Sequence, residues 1–289
     1  MTRLNGFIDV AERQEFAFGS FVRCGDKRMA ADIGDSSFDF VVIDMEHEGM
    51  DLPNLGDTMQ WLISRRQADR GGPLTPTPLV RVPINPWEGN HWVIQQVLDY
   101  GAFGIVAPRI GTALQAEAVV ASTRYAQDKD SPYPLPNGHR GVWNELAGRY
   151  WGLGDFPDYL AKADVWPLNP GGELLVTVLI EDAQGVANIE EILQVPGVGA
   201  VYTGDADLCQ DMGYPWQFRH PAVMEAKLSV VEACHKAGIT VGCTAVPQEW
   251  EERKGLGFQF CINPPSALRP PAIASLAEIR AARAEQGPA

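Results

Sequence analysis

Eight short apolar runs, rich in β-branched and aromatic residues, recur along the chain with helical stretches between them. They occupy 16–22, 39–44, 77–82, 103–108, 174–181, 198–203, 239–244 and 258–262. The runs are nearly continuous rather than alternating, as parallel strands are when both faces are covered. Between them Leu52, Leu55, Met59 and Leu62 share one helical face, as do Val93, Ile94, Val97 and Leu98. Residues 112–125 are Ala-rich and helical, Val186, Ile189 and Ile192 recur every third position, and Gly101 and Gly238 stand where helices should stop. Eight right-handed βα crossovers close into a single-domain (β/α)8 TIM barrel spanning 1–289. The rival, an open doubly wound sheet, would usually show a Gly-rich phosphate turn after its first strand. RCGDKRMA follows instead. Two segments break the rhythm: the Pro/Gly loop 71–78 and a long insert, about 126–172, after the fourth helix. The insert carries Trp143, Trp151 and Trp166, so a lid or a subunit contact is expected rather than disorder.

Charged residues at the carboxyl ends of these runs are the candidates for chemistry, because those ends converge on one face of a barrel. Glu181 and Asp207 end neighbouring runs, on strands about 4.8 Å apart. Together they predict a divalent-cation site, with Mg²⁺ or Mn²⁺ held by few protein oxygens and positions left open for a substrate. Gly204 permits close backbone approach beside Asp207. The alternative is that each carboxylate merely caps the helix that follows. Asp44, Glu46 and His47 follow the second run. His47 is placed for proton exchange with a carboxylate to orient it, and Asp44 or Glu46 could instead be a third metal ligand. Arg81 ends the third run, where a fixed cation can stabilise an oxyanion or bind a carboxylate, or simply pair with a barrel acid. His91, His139, His220 and His235 lack an acidic partner pattern and read as surface or structural.

The net charge of −14 argues against nucleic acid and against an anionic membrane as partner. The chain has five scattered cysteines, no apolar stretch long enough to span a bilayer and no signal-peptide core. Reduced thiols and a cytoplasmic location follow as expectations. H-E-x-x-H, Walker and G-x-S-x-G patterns are missing, and no lysine lies in the eight runs, which leaves a Schiff base unsupported.

FDFVVIDMEHEGMD, PLVRVP, VLDYGAFGIVAP, HRGVWNELAGRYWG, LIEDAQGVANIEEIL and GVGAVYTGDADLCQDMG resemble, in order and spacing, the HpcH/HpaI-type class II pyruvate aldolases. The resemblance covers about 19–263. It implies a lyase binding Mg²⁺, Mn²⁺ or Co²⁺ through Glu181 and Asp207. It further implies that Arg81 polarises pyruvate, that His47 paired with Asp44 moves protons, and that the backbone of Gly204, Ala206 and Asp207 holds the substrate carboxylate. The reaction implied is reversible cleavage of a 4-hydroxy-2-oxo acid to pyruvate and an aldehyde through an enolate. A homohexamer, a trimer of dimers with exchanged C-terminal helices, is also implied, and the tail 270–289 is the candidate element, 275–283 especially. The chain departs from the family at Leu179, where Gln is usual, at Asp205, where Pro is usual, and at INPPSALR after the last strand. Oxaloacetate or β-keto acid decarboxylation, CoA-thioester lysis and a non-catalytic metal-binding barrel are the alternatives.

Overall fold

The computed structural model describes residues 3–69, 75–84, 89, 91–142 and 146–264. Its strands are β1 (Ala17–Arg23), β2 (Phe40–Asp44), β3 (Thr77–Arg81), β4 (Gly104–Ala107), β5 (Val165–Trp166), β6 (Leu174–Ile180), β7 (Ala200–Thr203), β8 (Thr240–Thr244) and β9 (Phe260–Asn263). All but the two-residue β5 close into a parallel barrel, β1-β2-β3-β4-β6-β7-β8-β9, with β9 hydrogen-bonded back to β1. These eight strands are the eight apolar runs, shifted by at most two residues at either end.

The helices are α1 (Gly6–Glu12), α2 (Lys27–Gly34), α3 (Leu52–Leu62), α4 (Arg65–Asp69), α5 (His91–Asp99), α6 (Ala113–Thr123), α7 (Leu146–Tyr150), α8 (Phe156–Lys162), α9 (Ala183–Ala187), α10 (Ile189–Leu193), α11 (Asp205–Asp211), α12 (Pro221–Ala237) and α13 (Trp250–Gly255). Local chemistry sets their ends. Thr112 and Gln115 form a reciprocal capping box at the start of α6. Gly238, at φ 69°, ends α12 in the left-handed conformation that glycine adopts without steric cost.

Aromatic side chains fill the barrel floor. The Phe40 and Phe260 rings enter the interior where Gly19 and Gly242 leave room, and a Cβ on either glycine would lie 2.3 Å from a ring carbon. Phe7 of α1 stacks edge-on to both rings, at 5.0 and 5.1 Å, and plugs the end where the strands begin. The opposite end, where the strands finish, is left for polar side chains.

The long connection from α6 to β6 lies at the plugged end. Trp151 stacks on Phe103 at 4.3 Å and donates from Nε1 to the Gly101 carbonyl, and the Trp166 indole donates to Glu12 of α1. Arg124, fully buried, joins this connection to α6 through a bidentate pair with Asp164 and bonds to the carbonyls of Tyr133 and Pro136. The reading of this segment as a lid is therefore corrected. A helix that follows a strand returns the chain to the strand-start end, and the described residues of the insert pack there. Trp143 and the tail 270–289 lie outside the described residues. Among those residues, no helix is long and apolar enough to cross a membrane, and all five cysteines are free, with four of them buried.

Candidate active site

β2 and β3 run in register so that Asp44 and Arg81 are neighbours at their carboxyl ends. The Arg81 guanidinium donates from Nε and Nη2 to the two Asp44 oxygens at 3.0 and 2.7 Å, and its Nη1 lies 3.1 Å from Glu46 Oε2. It also sits 4.7 Å over the Phe21 ring. Burial works against the guanidinium's charge, but Asp44 and Glu46 outweigh it and raise its pKa. Arg81 is thus a rigid, permanently charged group. Asp44 Oδ1 also accepts from the backbone N–H groups of Glu46 and His47, which fixes the turn after β2.

The His47 imidazole does not pair with Asp44 as the resemblance implies. Its carboxylate neighbour is Glu46, with Nε2 3.6 Å from Oε2, and the ring is largely exposed. The physical reason is that both Asp44 oxygens are taken by Arg81. Glu46 Oε2 is buried and, although close to Arg81, is not aligned for a hydrogen bond with any group. Burial raises the Glu46 pKa, with Arg81 and His47 acting against the rise.

Glu181 follows β6 directly and is buried. Its Oε1 accepts from the Arg109 N–H at 2.9 Å, and its Oε2 packs so closely on Gly204 that a Cβ there would lie 2.5 Å away. Burial, then the charges of Glu46 and Asp207, push its pKa up to about 8. The capping alternative fails for this residue, since the neighbouring Asp182 caps α9 by accepting from Gly185 N–H. Asp207 stands in the first turn of α11, half exposed, with Oδ1 3.5 Å from Arg109 Nη2. That helix begins at Gly204 and has no side-chain cap, so the backbone N–H groups around Ala206 stay available to an acceptor.

Strand-end reasoning therefore assembles Asp44, Arg81, Glu181 and Asp207 at one mouth with His47 on its rim. Arg109, which follows the fourth apolar run, joins them, its backbone N–H on Glu181 and its guanidinium 3.5 Å from Asp207. Its position directly after a strand end was the available signal. The pair between Asp205 and buried Lys227, at 2.5 Å, was not visible, because Lys227 lies inside α12. Leu179 faces the interior beneath Gly204 and brings no polar group to that position. His220 caps α12, and His235 bonds the Gly257 carbonyl, so both are structural.

Residues 17–254 match the family model described as HpcH/HpaI aldolase/citrate lyase. The chain is 31% identical over 239 residues to a hydroxypyruvate/pyruvate aldolase of Roseobacter denitrificans, covering 83% of this chain and 82% of that protein. It is 32% identical over 242 residues to a 2-keto-3-deoxy-L-rhamnonate aldolase of Klebsiella pneumoniae, covering 83% and 79%. Among solved structures, an HpcH/HpaI aldolase/citrate lyase family protein from Burkholderia cenocepacia superimposes with a TM-score of 0.76 at 27% identity, covering 98% of this chain and all of that one. A barrel of this architecture, with charged strand ends gathered at one mouth and aldolases as its relatives, belongs to the HpcH/HpaI aldolase/citrate lyase family and is a carbon–carbon lyase.

Proposed function

We propose that the protein is a divalent-metal-dependent aldolase that cleaves 4-hydroxy-2-oxo acids to pyruvate and an aldehyde, reversibly. One observation carries the reading. Three carboxylates, Glu46, Glu181 and Asp207, gather at the mouth, where burial first and then the charges of Glu46 and Asp207 push the Glu181 pKa up to about 8. Arg81 faces Glu46 and Arg109 faces Asp207, so among the described residues Glu181 is the member with no paired cationic side chain, a balance that a bound cation would complete.

The residues fit that cation. Among the described residues no group of three or more His, Cys, Asp or Glu side chains is placed to hold a metal ion. Glu181 and Asp207 would therefore be its protein ligands, with the remaining positions open, the habit of Mg²⁺ or Mn²⁺, and Co²⁺ fits the same oxygens. When bound, the ion supplies Lewis acidity toward the 2-oxo group.

The chain's own groups supply the rest. The backbone from Gly204 through Ala206 to Asp207 receives the substrate carboxylate. Arg81, which Asp44 and Glu46 keep from moving, points its charge at the oxygen on which negative charge grows. His47 takes the 4-hydroxyl proton. The C3–C4 bond then breaks, its electron pair stays on C3 as the enolate, and the former C4–OH becomes the aldehyde carbonyl. Protonation at C3 completes pyruvate.

The direct test is proton exchange. With Mn²⁺ and pyruvate in D₂O the methyl signal should decay in NMR, and Glu181→Ala or Asp207→Ala should abolish the decay. Full activity after exhaustive chelation would overturn the proposal. Oxaloacetate consumed faster than every aldol substrate would favour decarboxylation instead.

A further inference from the structure

The first turn of α11 carries two acids that go different ways. Asp207 turns to Arg109, 3.5 Å away, whereas Asp205 turns to α12, where its Oδ2 accepts from Lys227 Nζ at 2.5 Å. The Thr203 hydroxyl donates to the other Asp205 oxygen at 3.4 Å. Lys227 is 1% exposed, inside a helix of 17 residues, and its ammonium lies 5.9 Å from the centre of the Phe258 ring. Lysine is rarely buried to this degree without a partner of opposite charge.

The position of Asp205 is the informative part. It stands between Gly204 and Ala206, inside the turn proposed to receive the substrate carboxylate, where proline is usual in the family. An acid in such a turn has the wrong sign, because an uncompensated carboxylate there repels the carboxylate of a keto acid. Lys227 supplies the compensation. It pairs with Asp205 from α12 and holds that side chain toward the helix. Among the described residues no second cationic side chain forms an ion pair with Asp205.

We infer that Lys227 is a positioning residue for substrate binding, which acts through Asp205 to keep the carboxylate turn free of net negative charge. The inference rests on the aldolase reading above. Lys227 transfers no proton and touches no reacting atom. It governs how tightly the keto acid binds, not how fast the bonds at C3 change.

The test measures KM and kcat for pyruvate methyl exchange in D₂O with Mn²⁺. Lys227→Met leaves Asp205 unpaired and should raise the pyruvate KM about three- to tenfold, the size of one partly screened charge, with kcat little changed. Asp205→Asn leaves the lysine unpaired and should lower KM about twofold or more. The double variant Asp205→Asn/Lys227→Met should return KM to within about twofold of wild type. Raising KCl from about 0.05 M to about 0.5 M should at least halve the rise in Lys227→Met, since salt screens a charge and does not repair a displaced turn. An unmoved KM in Lys227→Met, or a rise that persists in the double variant and at high salt, would assign the pair to folding alone and overturn the inference. Where Lys227→Met does not fold, Asp205→Asn decides, and a KM at or above the wild-type value overturns it. Failure of the wild-type protein to exchange the methyl would instead overturn the aldolase reading itself.

Discussion

A buried carboxylate flanked by two others keeps its proton until a cation replaces it. Glu181 is in that position, and the consequence is a pH dependence with a definite sign. Its pKa stands at about 8 in the folded, ion-free chain against an ordinary 4.5. Between those values the folded state holds a proton that the unfolded state releases, so stability falls as pH rises across that window. Urea midpoints of the chelated protein at pH 5.5 and pH 8 should show this fall, and Glu181→Gln should flatten it. Ion binding must expel the same proton. Mn²⁺ affinity, followed by electron paramagnetic resonance, should therefore climb by up to about tenfold per pH unit below pH 8 and then level off. A pH-independent affinity would remove Glu181 from the ligand set. The contact between Asp207 and Arg109 is no obstacle to this scheme. At 3.5 Å and with both side chains 40% exposed or more, such a pair is worth about 0–1 kcal/mol, far less than a coordinated ion.

The connection between α6 and β6 behaves as a second, independent block of structure at the other end of the barrel. Its anchor is the fully buried Arg124 guanidinium on Asp164. Removing one member of a buried pair strands the other, at a cost of about 3–5 kcal/mol. Asp164→Ala should lower the unfolding free energy by that much in urea. Its kcat should stay at the wild-type value at temperatures where the fold survives, because the anchor lies at the plugged end with α1. Trp151→Ala should cost about as much, through lost stacking on Phe103 and the cavity left behind. A collapse of kcat in either folded variant would mean that the connection reaches the mouth after all.

The whole molecule separates the two requirements of an enzyme by end. One end is sealed by Phe7, Phe40 and Phe260, and the other gathers Asp44, Arg81, Glu181 and Asp207. Stability and chemistry therefore draw largely on different residues, with Glu181 the exception, because its raised pKa ties the mouth to folding. Sedimentation velocity should show a species six times the chain mass, as the resemblance to the family implies, and a monomer at assay concentrations would remove the trimer of dimers from the scheme.

All eight strands were legible in the sequence, and so was the convergence of Glu181, Asp207 and Arg81, because both depend on local pattern. Apolar runs of strand length need cover on both faces, and eight of them alternating with helices have few ways to obtain it. Parallel strands also bring their carboxyl ends together wherever they sit in the chain. Partnership was decided only by the tertiary structure. Asp44 binds Arg81 rather than the His47 ring because register places β2 and β3 side by side. Arg109 enters the site because its loop crosses the end of β6, where its N–H meets Glu181. The aromatic connection misses the mouth because α6 delivers it to the opposite end. Contacts between residues tens of positions apart depend on the closure of the barrel, and no local pattern records them.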